Sequence, residues 1–107
     1  MSAVSIHITF PSRDEALAVG RRLVEDRLVA CVNILGDVHS VYWWNDQIEE
    51  STEVVMLAKT RDDLVADLVG RVRELHSYAC PCVVATPIEG GNPAYLDWID
   101  RETRRGK

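Results

Sequence analysis

The stretch CVNILGDVHSVYWWNDQIEESTEVVMLAKT, Cys31 to Thr60, decides the fold. It reads as two β-strands. The first begins near Val29, is punctuated at Gly36-Asp37, and resumes through Trp44; a glycine inside a strand pattern marks a bulge or bend. Asn45-Asp46 turns the chain, and the second strand returns from about Gln47 to Thr60. The resulting hairpin has arms well beyond the usual ~5–6 residues, longer than the sheet of a 107-residue chain can cover. Near its tip stand Tyr42, Trp43 and Trp44. Successive strand side chains point to opposite faces, so one indole lies away from the core of its own chain. A protruding hairpin with large apolar groups on both faces asks for a neighbouring chain, and an oligomer is expected.

The flanking segments complete the pattern. In AVSIHITF, Val4, Ile6, Ile8 and Phe10 alternate with Ser5, His7 and Thr9, the period of a strand. From Pro11 the period changes. Ser12 and Glu15 stand at capping-box spacing. Ala16, Val19, Gly20, Leu23, Val24 and Arg27 then recur as a helical stripe, with Arg21, Arg22, Glu25 and Asp26 facing water. TRDDLVADLVGRVRELH is a second helix, with Thr60 and Asp63 at capping-box spacing and Leu64, Leu68, Val72 and Leu75 as its ridge. YACPCVVATPIE is a short strand that Pro81 and Pro87 mark as an edge or an end. Asn92 caps and Pro93 opens a last helix, on which Tyr95, Trp98 and Ile99 share a face.

The order β-α-β-β-α-β plus a terminal helix, with right-handed crossovers, predicts an α+β, ferredoxin-like sandwich. Both main helices lie on one face of a four-stranded antiparallel sheet. The opposite face has no helix of its own in this scheme and is polar or covered by partners. Val54, Met56 and Ala58 alternate with Val55, Leu57 and Lys59, so both faces of that strand are largely apolar, which favours partners. The whole chain, 1–107, reads as one domain.

Bulk composition narrows the classes. Apolar residues make up 47% and charged residues 27%, which excludes disorder on composition. Seventeen acidic against twelve basic residues give a net charge of −5, which argues against a nucleic-acid partner engaged through phosphates. Arg101, Arg104, Arg105 and Lys107 read as cations at the negative end of the last helix. There is no run of ~18 apolar residues to span a membrane, and the N-terminus lacks the regions of a secretory signal. With an odd count of three cysteines, the expectation is a cytoplasmic protein with reduced thiols and no membrane partner.

The chemistry concentrates in HSYACPC, His76 to Cys82. On a strand, Cys80 and Cys82 would project from the same face, with His76 at the helix end just before. Thiolates and imidazole suit Cu(I) or Zn²⁺. Yet H-x3-C-x-C is not a four-ligand pattern, and cysteine often serves as a small core residue. Cys82 beside Val83 and Val84 also fits that role, and His76 also fits a favourable charge on the helix dipole; both readings stand. A Cys–His nucleophile pair has no orienting carboxylate nearby in sequence. EGGNPA opens a helix but lacks the phosphate-loop spacing and its lysine. A copper chaperone of this topology carries C-x-x-C after its first strand, where this chain has FPSRDE. An acylphosphatase needs an arginine within a glycine-containing loop there; Arg13 is present and the glycines are not.

Six motifs in order, T-x-P (Thr9, Pro11), A-C-V-N (Ala30–Asn33), Y-W-W (Tyr42–Trp44), K-T (Lys59, Thr60), H-x-Y-x-x-P (His76, Tyr78, Pro81) and Y-L-x-W (Tyr95–Trp98), fall at the spacings of the CutA divalent-cation tolerance family. The chain resembles that family over nearly its whole length. The resemblance implies a ferredoxin-like, PII-like homotrimer with hairpins exchanged between subunits. It also implies a link to tolerance of copper and other divalent cations, with no established reaction: a binding or regulatory module, not an enzyme. The family's H-P-Y-E-x-P-E becomes H-S-Y-A-C-P-C, with Ser77, Ala79 and Cys82 in place of the proline and both glutamates. Some members carry a cysteine just before T-x-P, where this chain has Ile8. What remains is a softer set, His76, Cys80 and Cys82, with Cys31 of A-C-V-N as a further member, expected to take copper or zinc without needing either to fold. Tyr42, Trp43, Trp44, Lys59, Tyr78, Tyr95 and Trp98 are expected at subunit contacts or inter-subunit clefts. The alternative is a small-molecule sensor that binds an anion or nucleotide in such a cleft, between Lys59, His76, Tyr78 and Tyr95.

Overall fold

A computed structural model describes residues 2–104. The elements run β1 (Ala3–Phe10), α1 (Arg13–Glu25), β2 (Cys31–Trp44), β3 (Gln47–Arg61), a 3-10 turn (Asp62–Leu64), α2 (Val65–Leu75), β4 (Val83–Pro87) and α3 (Pro93–Glu102). The strands make one sheet in the order β2-β3-β1-β4, every neighbouring pair antiparallel. This is the ferredoxin-like plan. Among the described residues no helix is long and apolar enough to cross a membrane.

Alternation in β1 fixes the two faces. Val4, Ile6, Ile8 and Phe10 are buried, and their partners across the ladder are Thr60, Ala58, Met56 and Val54. This face packs on Ala16, Val19 and Leu23 of α1 and on Leu68 and Val72 of α2. Full burial of each large side chain contributes about 1.5–3 kcal/mol. A Cβ added at Gly20 would lie 2.9 Å from Met56 Cε and 3.0 Å from Val32 Cγ2, so glycine lets α1 press directly on the sheet.

The hairpin is as long as the sequence implies. β1 reaches only as far as the Phe10–Val54 pair. Seven further pairs, from Val38–Glu53 to Trp44–Gln47, continue past the body of the fold, about 23 Å at ~3.3 Å per residue. The described chain measures 44 × 26 × 24 Å. Asn45 (φ 51°) and Asp46 (φ 61°) are both left-handed, as a two-residue type I′ turn requires. A register shift between Leu35 and Asp37 marks a bulge at Gly36. Beyond it Ser40, Tyr42 and Trp44 share one face with Ser51 and Glu53. His39, Val41 and Trp43 share the other with Ile48 and Glu50. Val41, Trp43 and Ile48 are 61%, 72% and 62% exposed.

Several local expectations need correction. Ser12 Oγ accepts from Glu15 N at 3.2 Å, but the Glu15 carboxylate accepts instead from Ser77 N, so only half of the capping box forms. Thr60 Oγ1 donates to Leu28 O at 2.6 Å, and no side chain caps the start of the second helix, which opens as the 3-10 turn. Val24 is exposed, and Arg27 leaves α1 in the left-handed region (φ 57°), so neither belongs to the buried stripe. Cys80 and Cys82 lie ahead of β4, in the irregular segment that leaves α2, because the ladder with β1 begins only at Val83. Finally, the sheet face away from α1 and α2 is partly roofed by α3. Arg61, on that face, is 2% exposed. It donates to both Asp63 oxygens, to Thr103 O and to Arg104 O. Arg104 itself reaches Asp67 on α2, while Arg105 and Lys107 lie outside the described residues.

Candidate functional site

Where the free arm leaves the body, its Tyr42–Trp44 face, the end of β1 and the segment after α2 enclose a cavity of about 800 Å³. Its shape begins with His76. The residue ends α2 with extended backbone, and its buried ring stacks on Phe10 with centroids 4.5 Å apart. Nδ1 accepts from Tyr78 N at 3.0 Å, which places the ring proton on Nε2, 2.7 Å from Thr9 O. Both nitrogens are therefore spent on backbone, and Glu15 at 3.5 Å completes the surroundings. His76 is a staple that fixes the segment from Ser77 to Cys82 against β1. It offers no lone pair to a metal.

The staple aims Tyr78 back at the arm. Its hydroxyl donates to Glu53 Oε2 at 2.9 Å, while Ser40 Oγ donates to Glu53 Oε1 at 2.6 Å. Glu53 is 8% exposed, so these two hydroxyls replace water around a carboxylate. Burial, followed by the bond and charge of Glu53, pushes the Tyr78 phenol up to about 12. Burial and then Glu53 also push the Cys82 thiol up. Cys80 and Cys82 both line the cavity as free thiols, with Tyr42, Trp44, Glu49 and Ser51 on the arm side.

The other expected site residues gather elsewhere. Cys31, at the start of β2, lies beneath α3 with its Sγ 3.5 Å from Tyr95 Oη. Tyr95, whose phenol is raised first by that bond, tilts against Trp98 at 5.4 Å. Lys59, paired with Cys31 across the ladder, donates to Asn33 Oδ1 at 3.1 Å. The anticipated set thus divides into an arm-base group (Tyr42, Trp44, His76, Tyr78, Cys80, Cys82) and an α3 group (Cys31, Lys59, Tyr95, Trp98), with Trp43 on the arm's opposite face. Within this chain His76, Cys80, Cys82 and Cys31 do not converge. Among the described residues no three His, Cys, Asp or Glu side chains are grouped to hold a metal ion. A hard divalent cation, which wants six or more oxygens or tightly held waters, finds no cage here. Glu53 and Ser40 went unnoticed in the sequence, because nothing local separates Glu53 from the exposed Glu49 and Glu50. Only its position across from the Tyr78 loop does.

Comparison with known proteins agrees with the motifs. The family model "CutA1 divalent ion tolerance protein" matches residues 4–102. The divalent-cation tolerance protein CutA of Archaeoglobus fulgidus is 46% identical over 95 residues, covering 89% of this chain and 92% of that protein. The mouse protein CutA is 41% identical over 102 residues, 95% of this chain, which spans 58% of the mouse protein's length. A solved structure described as the periplasmic divalent cation tolerance protein CutA from Archaeoglobus fulgidus superposes with a TM-score of 0.90 at 44% identity, covering 94% of this chain and 97% of that one.

Proposed function

Since the chain belongs to the CutA1 divalent ion tolerance family, we propose that it is a cation-binding regulatory module that works as a homotrimer and catalyses no reaction of its own. The observation that carries this reading is the chemistry of the arm-base cavity. Its wall holds two free thiols and the carboxylates of Glu49 and Glu53. That lining attracts cations, soft ones above all, and repels phosphates. The sensor reading draws on a different set, Lys59, His76, Tyr78 and Tyr95, of which only Tyr78 lines this cavity.

Three features support the rest. The free arm is apolar on both faces, with Trp43 and Val41 on one and Tyr42 and Trp44 on the other, and two sister copies would dry it. Catalysis is disfavoured because Tyr78 and Cys82 are both pushed toward their protonated forms, while the His76 ring has no free nitrogen to serve as a base. Three unpaired cysteines suit a reducing compartment such as the cytoplasm.

A thermal-shift screen of copper and zinc against nucleotides tests the cation reading. Soft metals are expected to raise the melting temperature and nucleotides to leave it unchanged; the reverse pattern would establish the sensor.

A further inference from the structure

The geometry points to Cys80 and Cys82 as a two-sulfur chelate for one soft, low-coordinate cation of the Cu(I) type. This rests on the cation-binding reading above and goes further: it names the donors, their number and the class of ion.

The family description speaks of divalent ions, yet among the described residues no three His, Cys, Asp or Glu side chains are grouped to hold one. The Glu53 oxygens hold the hydroxyls of Ser40 and Tyr78. His76 has no free nitrogen, and Cys31 sits under α3 against Tyr95. Two sulfurs remain, both exposed, both on one cavity wall, separated only by Pro81.

Their placement ahead of β4 leaves the segment free to bend around a shared ion. Two metal–sulfur bonds of about 2.3 Å bring the sulfurs to within ~4.6 Å of each other, and no ladder bond would be broken in doing so, since pairing starts at Val83. The intervening loop is one residue long, so closing it around an ion costs little chain entropy. A two-thiolate set with no nitrogen or oxygen partner favours Cu(I) over hard ions.

The binding step is balanced as follows. Each thiol gives its proton to water, each sulfur forms one bond to Cu(I), and no electron changes hands. The product carries one net negative charge where two neutral thiols stood.

The test is an anaerobic titration of Cu(I) against a colorimetric Cu(I) chelator, using the full chain with all thiols reduced. The wild type is expected to take one Cu(I) per chain. Cys80→Ser and Cys82→Ser should each weaken binding more than about a hundredfold, beyond what loss of an outer-shell partner costs. Cys31→Ser should change nothing. Circular dichroism checks that each variant is folded. Undiminished binding in both cysteine variants, or loss in Cys31→Ser, overturns the chelate while leaving a cation-binding module in place. No uptake of Cu(I) or Zn²⁺ by the wild type overturns the chelate and the cation reading together.

Discussion

Replacing Tyr78 by phenylalanine keeps the ring, including its packing 4.8 Å from His76, and removes a single oxygen. That oxygen donates to Glu53 at 2.9 Å. Because Glu53 is buried, water substitutes poorly for the lost donor. A hydrogen bond to a charged group contributes about 1.5–3 kcal/mol, and a buried acceptor left short keeps its desolvation cost. Tyr78→Phe is therefore expected to lower the unfolding free energy by about 2 kcal/mol at pH 7, read from urea denaturation followed by circular dichroism. The pH dependence has a definite sign. The unfolded chain, with the lower phenol value, loses its proton first as the pH rises. The contribution of Tyr78 is whole below pH 10.0 and is lost as the pH climbs toward about 12; the variant lacks that loss. A change below about 0.5 kcal/mol at pH 7, within the scatter of ordinary surface substitutions, would refute the reasoning, as would identical alkaline limbs.

Two further outcomes follow from the same structure. Arg61→Met leaves Asp63 without its cation and the Thr103 and Arg104 carbonyls without a donor, and should cost about 3–5 kcal/mol in the same urea assay. The Asp63 carboxyl is held below 3.8, first by its bond to Arg61. Stability present above that value in the wild type is thus lost on further acidification, and the variant's acid limb should be shallower by that amount. Glu53→Gln should quicken alkylation of Cys82 by iodoacetamide near pH 8, because it removes the one influence besides burial that raises this thiol. Equal rates would mean the Glu53 charge does not reach the sulfur.

The long-range plan was legible because its signals are periodic. Alternation in β1, the Asn45-Asp46 turn, the interruption at Gly36 and Pro93 at the start of α3 each act locally, and each landed where expected. The errors arose where a side chain had a tertiary option more favourable than the local one. Glu15 turned from its own cap to Ser77, and Thr60 bonded Leu28 across 32 residues. Cys80 and Cys82 looked like strand residues because Val83 follows them, but β1 ends its pairing first. The site was half legible. Soft ligands announced themselves by type, whereas whether His76 had a free nitrogen depended on Thr9 O, 67 positions away. Arg61 as the anchor of α3 carried no sequence signal at all.

The account depends most on the bare arm: seven strand pairs beyond the body, with Trp43 and Trp44 on opposite faces, 72% and 51% exposed. Sedimentation equilibrium at micromolar concentration measures its consequence directly. The account predicts the mass of three chains, reduced to one or to a concentration-dependent mixture by Trp43→Ser. A monomer that keeps a folded near-ultraviolet tryptophan spectrum at that concentration would contradict it.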